Sequence, residues 1–214
     1  MAVFQLDNSL WFPDPHYGEE DGLVAVGGDL SVDRLLLAYS NGFFPWYAFK
    51  RNEPLWFCPL QRFVIFPKEI HISHSMQQFI NKNRYKLTLN HDFDGVIRNC
   101  ATAQNRNQEE GAWLGPDIIE AYTELHRQGF AASVEVWDDD CLVGGLYGVN
   151  LGTSFFGESM FSLVPNASKL ALIHLARIMD VLGGQLIDCQ LETSHLRSMG
   201  GRFIPYEEYM QIIR

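Results

Sequence analysis

Hydrophobic and polar positions keep a regular period through most of this chain and lose it near the start. Within the first sixty residues one clean element stands out. Ser31 precedes VDRLLLAYSNG, whose apolar spacing predicts a helix with Ser31 as N-cap and Gly42 just past its end. On either side, PDPHYGEEDGLVAVGGDL (13–30) is rich in Gly, Pro and Asp, and FFPWYAFKRNEPLWFCP (43–59) sets aromatics between prolines. Neither has a clean period. Both are expected to form loops pinned on a scaffold, where binding residues concentrate.

From Arg62 the pattern alternates. It predicts a strand over RFVIF, a helix around SHSMQQFINKN, a strand over YKLTL and a helix around FDGVIRNCA. The polar stretch TAQNRNQEEG (102–111) is expected to be a loop. A helix follows over 116–128, with Pro116 in its first turn and Gly129 at its end. ASVEVW, the acidic turn Asp138 to Asp140 and CLVGGLYGVNLGTSFFG then read as antiparallel strands. A long helix over SKLALIHLARIMDVLG, a buried strand LIDCQ (186–190) and two short helices complete the chain. The expected class is mixed α+β, or α/β in the broad sense, with a small N-terminal domain over 1–60 and a larger one over 61–214.

Composition narrows the function. At 214 residues and 47% hydrophobic, the chain can build one full core, or one core with a small lobe. No run of eighteen apolar residues occurs, and MAVFQLDNSLWF lacks a signal peptide's basic flank, so a cytoplasmic protein without a membrane partner is expected. Cys58, Cys100, Cys141 and Cys189 form no CxxC pair and the histidines no HExxH, so no metal is expected. A formal charge of −10 argues against nonspecific nucleic-acid binding. That average hides a gradient, because residues 50–106 carry nine Lys or Arg against four acids. One basic face on an acidic body fits, as does a charge run that only solvates a surface.

Several segments now carry a resemblance. GLVAVGGDL (22–30), LLLAYSNGFFPWY (35–47), LWFCPLQR (55–62), AYTELHRQGFAASVEVW (121–137), LVGGLYGV (142–149), FFGESMFS (155–162), SKLAL (168–172) and LIDCQ resemble the leucyl/phenylalanyl-tRNA–protein transferases. The resemblance implies a GNAT-like C-terminal domain, similar to that of the peptidoglycan-bridge aminoacyltransferases, behind the small N-terminal domain. It implies Leu-, Phe- or Met-tRNA as donor and a protein beginning with Arg or Lys as acceptor, which the transfer marks for proteolysis under the N-end rule. No cofactor is implied. This agrees with the lack of a phosphate-binding GxxxxGK[ST].

Aminoacyl-tRNA is already an activated ester, so the attacking amine needs orientation more than energy. Holding an α-amine of pKa about 7.7 neutral at pH 7 costs only ~1 kcal/mol, whereas proximity supplies about 7–11 kcal/mol. In LIDCQ, Asp188 and Gln190 stand two apart and are expected to share one strand face. Asp188 would relieve the attacking nitrogen of its proton and Gln190, an amide, would orient it. Capping of the next helix is the other reading of Asp188. By the resemblance, Glu158 lies near the donor's α-amine or the basic acceptor; an exposed strand-end glutamate is the plainer reading.

A Leu, Phe or Met side chain needs an apolar, deformable pocket. Leu146, Phe155, Met160, Leu172, Leu175 and Ile187 sit in the matching motifs and are the candidates, although each also fits a plain core position. Trp46 and Trp113 match the tryptophans that contact the 3′-terminal adenosine in the family, with Tyr39, Phe44 and Tyr122 nearby by the same resemblance. Aromatic packing between lobes is compatible with that role. For the tRNA backbone the candidates are Arg62, Lys68, Lys82, Arg84 and Lys86. The chain departs from the family at His74, Gln77 and Gln78, where Arg or Lys is usual, and at Ala112, Leu114, Ala132 and Pro205-Tyr206. Two other functions stay open: an acetyl-CoA-dependent N-acetyltransferase, although SLVPNASKLAL lacks the glycine loop that would cradle a pyrophosphate, and a noncatalytic tRNA-binding module.

Overall fold

The computed structural model describes residues 2–48, 53–105 and 115–214. Two sheets organise them. The smaller has four strands in the order β1-β2-β4-β3, formed by β1 (Phe4–Leu6), β2 (Leu23–Gly27), β3 (Phe44–Ala48) and β4 (Glu53–Phe57). Helix α1 (Val32–Ser40) crosses between β2 and β3, capped as expected by the Ser31 hydroxyl on the Arg34 N–H.

This sheet corrects the expectation of loops at 13–30 and 43–59. Proline masked it. Pro45 lies on β3, an edge strand, and Pro54 stands beyond Leu55, the last β4 residue paired to β2. At such positions a missing N–H removes no ladder bond to a further strand. The aromatics between them are strand residues, and Trp56 is fully buried with its indole N–H on the Gly27 carbonyl at 2.9 Å.

The larger sheet has seven strands in the order β11-β5-β10-β9-β8-β7-β6. They are β5 (Gln61–Ile65), β6 (Lys86–Leu89), β7 (Ala131–Asp138), β8 (Cys141–Leu151), β9 (Ser154–Ser162), β10 (Leu186–Gln190) and β11 (Arg202–Pro205). The helices are α2 (His74–Asn81), α3 (Phe93–Asn105), α4 (Pro116–Arg127), α5 (Ala167–Leu182), α6 (Ser194–Ser198) and α7 (Tyr206–Ile213). Helix α3 extends through Asn105, so the start of the stretch expected as a loop is helical; its remainder, 106–111, lies outside the described residues. The short edge strand β11, between the two last helices, was not anticipated.

Among the described residues β9 and β10 are the one parallel pair of this sheet. Parallel neighbours need a crossover, and α5, buried along most of its length, provides it. The larger sheet separates two apolar clusters. One holds Phe63, Ile65, Leu146, Phe155 and Ile187 against α5. The other continues without a break from Tyr39, Phe44 and Trp56 of the first lobe to Val64, Tyr122, Tyr147, Phe156 and Leu186.

Strand β8 contains a register shift between Tyr147 and Gly148, opposite Gly157 and Ser159. Backbone and ring crowd this spot: a Cβ on Gly148 would stand 2.1 Å from the Phe156 carbonyl oxygen and 2.6 Å from the Phe155 ring. We expect Gly148→Ala to destabilise the fold by about 1–3 kcal/mol through overpacking, read as a lowered urea midpoint. An unchanged midpoint would show that the close approach is not required.

Candidate active site

Strands β9 and β10 run together through Ile187 opposite Phe155 and Asp188 opposite Phe156, and their pairing stops there. Beyond that point β10 stays on β5, with Gln190 opposite Phe63, while β9 stays on β8. The strands part, and a cavity of about 400 Å³ opens where they do. Leu146, Phe155, Met160, Leu172, Leu175 and Ile187 all line it. The residues expected to form an apolar pocket are therefore brought to one chamber, contributed by β8, β9, β10 and α5.

One carboxylate in this lining stands out. Glu158 is buried, and its Oε1 accepts from the Tyr39 hydroxyl at 2.8 Å and the Gln190 amide at 2.7 Å, while Oε2 accepts from the Tyr122 hydroxyl at 2.9 Å. The two tyrosine hydroxyls also touch each other. Burial pushes the Glu158 carboxyl up to about 7; the hydrogen bonds from Tyr39, Tyr122 and Gln190 oppose that rise, and the Asp188 charge adds to it. Burial likewise holds both phenols far above the ordinary tyrosine range, so they remain donors.

Asp188 behaves differently. It is fully buried, and its two oxygens are taken by three donors: Arg62 Nε at 3.0 Å, the Tyr209 hydroxyl at 2.7 Å and the Gln190 backbone N–H at 2.8 Å. The last bond bends the chain. Gln190 has φ 62°, in the left-handed region, and the register slips between Asp188 and Gln190. The expected carboxylate–amide pair on one strand face is thereby corrected, because alternation fails at the bulge. The Gln190 amide donates to Glu158 instead.

Arg62 also leaves its expected place. Only 1% exposed, it lies between the rings of Phe44 and Tyr209 at 4.9 and 4.8 Å, with Nη2 on the Gly42 carbonyl and the Tyr209 hydroxyl. No phosphate reaches a guanidinium so enclosed. Phe44, Tyr39 and Tyr122 are buried as well, so none offers a face to a base; Phe44 supports Arg62 and the tyrosines support Glu158. Trp46 keeps 37% of its surface exposed on β3, two residues from Phe44, while Trp113 lies outside the described residues.

The remaining cations are exposed but divided. Lys68 follows β5, whereas Lys82, Arg84 and Lys86 gather at the β6 edge. Five strand spacings, roughly 24 Å, separate β5 from β6 in the sheet. Arg84 is also engaged by Asp138 at 2.6 Å. Among the described residues no group of three or more His, Cys, Asp or Glu could hold a metal ion, and no helix is long and apolar enough to cross a membrane.

An apolar chamber with a buried carboxylate in its wall, at the split of a mixed sheet, has the make-up of an enzyme's substrate site, and comparison with known proteins gives the class. The family model described as leucyl/phenylalanyl-tRNA protein transferase matches residues 64–214, and that of its N-terminal domain matches 28–60. A leucyl/phenylalanyl-tRNA–protein transferase of Syntrophus aciditrophicus is 52% identical over 100% of this chain and 89% of its own length. One of Flavobacterium johnsoniae is 48% identical over 99% of each. Among solved structures, a conserved protein of unknown function from Bacteroides thetaiotaomicron aligns with 81% of this chain and 62% of its own at 12% identity and TM-score 0.48. The chain belongs to the leucyl/phenylalanyl-tRNA protein transferase family and is an aminoacyltransferase.

The buried ion pair makes a prediction that separates its two possible duties. Arg62→Met removes the counter-ion of the buried Asp188, and should cost about 3–5 kcal/mol of stability in chemical denaturation. The salt dependence of tRNA binding should stay as it is. The opposite outcome, intact stability and a shallower salt slope, would return Arg62 to the tRNA.

Proposed function

We propose that this enzyme transfers Leu, Phe or Met from aminoacyl-tRNA to the N-terminal α-amine of proteins beginning with Arg or Lys, in the cytoplasm. Residues 61–214 act as the GNAT-like transferase domain, and residues 1–60 bring the exposed Trp46 to the 3′-terminal adenosine, where stacking is worth about 1–3 kcal/mol. The observation that carries the reading is the apolar chamber with Glu158 in its wall. Its volume lies toward the small end of the ~300–1,000 Å³ usual for ligand sites, which suits one amino-acid side chain. An apolar pocket separates side chains one methylene apart by only about 1–3 kcal/mol, which suits mixed Leu, Phe and Met use.

In this reading the acceptor nitrogen attacks the ester carbonyl, forming the C–N bond. The C–O3′ bond then breaks, and the proton lost by nitrogen passes through Glu158 to the departing 3′-oxygen. A carboxyl held near neutrality can both take and return that proton. Gln190, Tyr39 and Tyr122 aim it. Asp188 and Arg62 act as positioning residues, holding the bend that presents Gln190. This moves the proton-accepting duty from Asp188, paired with the Arg62 guanidinium, to Glu158, whose three donors are all neutral.

The test is to incubate the enzyme with Phe-tRNA, and separately with acetyl-CoA, plus a peptide beginning with Lys or Arg, and to weigh the peptide. Gain of a phenylalanyl residue supports the reading; gain of an acetyl group replaces it. Glu158→Gln should lower kcat about 10²–10⁴-fold, with tRNA binding retained. Equal loss of tRNA affinity would remove Glu158 from the chemistry. The pH dependence has a defined sign. A carboxyl raised from 4.5 to about 7 stabilises the fold below 4.5 and loses that contribution as pH rises to about 7, while transfer gains its base over the same interval. Wild-type kcat should therefore rise through about pH 7, and E158Q should lack that limb.

A further inference from the structure

Five of the polar side chains lining the cavity are already engaged. Glu158 and Asp188 each accept three hydrogen bonds, the Thr193 hydroxyl caps α6 through the Leu196 N–H, the Cys189 thiol meets the Ile187 carbonyl, and Ser159 has a partner. Two buried polar atoms of the lining have no partner: the Tyr147 hydroxyl and His195 Nε2. Leaving a buried polar atom unpaired costs free energy unless a ligand or water supplies the bond. Tyr147 is fully buried, with its ring edge-on to Phe93 and Tyr122. His195, in the first turn of α6, is only half-buried, while its Nε2 is buried in the cavity lining.

We propose that His195 is a donor-binding residue of the transfer reaction, its Nε2–H donating to the ester carbonyl oxygen of the aminoacyl group seated in the cavity. This rests on the aminoacyl-transfer reading above. The ligand's own chemistry selects the carbonyl. Leu and Phe side chains carry no polar atom, and the α-amine, a cation near neutral pH, is repelled by Lys169, whose charge acts on His195. Burial first, and Lys169 second, hold the imidazole below its ordinary range, so it is neutral and has one N–H to give. As the amine attacks, charge develops on that carbonyl oxygen, and the bond strengthens in the transition state.

The test is steady-state kinetics of wild type, His195→Ala and His195→Gln with Phe-tRNA and Leu-tRNA. Loss of one donor to a developing oxyanion lowers kcat about 10²-fold, so H195A should fall by that order with little change in KM. The loss should be equal for both donors because they share the ester. Glutamine, which keeps an N–H donor, should restore most of it. The inference is overturned if H195A keeps kcat within about twofold, if the loss differs between Phe and Leu, or if H195Q falls as far as H195A with a lowered melting temperature, which marks a packing role. Wild type that fails to charge the peptide overturns the transfer reading itself, independently of residue 195.

Discussion

Arg62 and Asp188 leave water together, and the geometry of the site follows from how that is made tolerable. Removing two charges from solvent costs several kcal/mol per ion, and only close pairing with further hydrogen bonds offsets it. The bonds come from everywhere at once: Tyr209 from α7, the Gly42 carbonyl from the turn after α1, and the Gln190 backbone from the end of β10. The pair thus ties the first lobe, the central strands and the last helix to one point. That point is where β9 and β10 cease to be partners. A structure that satisfied Asp188 some other way would have no reason to bend at Gln190, and no amide to aim at Glu158.

The second carboxylate shows the opposite solution. Glu158 has no cation bonded to it and relies on two phenols and an amide. Neutral donors compensate burial less completely than a guanidinium does, so the proton stays within reach near neutrality. Two acids, both buried and both triply bonded, are thus fitted to different work by the charge of their partners.

Much of the larger sheet was legible from periodicity. LIDCQ is a strand with the expected bounds, and the helices at 32–40, 116–127 and 167–182 begin and end close to their predicted caps. The six apolar residues taken from the motifs meet in one chamber, Leu172 and Leu175 by the helix period, and Phe155 and Met160, five apart on β9, by the register shift that falls between them. What periodicity does not carry is a bond between distant residues. Tyr39 and Tyr122 read as stacking aromatics until their hydroxyls are placed on Glu158, 119 and 36 residues away. Arg62 read as a surface cation because its counter-ion lies 126 residues downstream. The hairpin of β3 and β4 was hidden by two prolines, and the bulge at Gln190 by a strand pattern that looked unbroken.

The apolar cluster that runs uninterrupted from Trp56 to Leu186 has a consequence for how the molecule comes apart. With no seam between the first lobe and the larger sheet, neither can loosen while the other keeps its packing, so melting is expected to be a single cooperative event. Glu158 draws its hydroxyl donors from both sides of that shared interior. Any partly unwound form therefore returns this acid to an ordinary, fully charged glutamate, and acidity at a single side chain becomes a gauge of whether the whole molecule is intact.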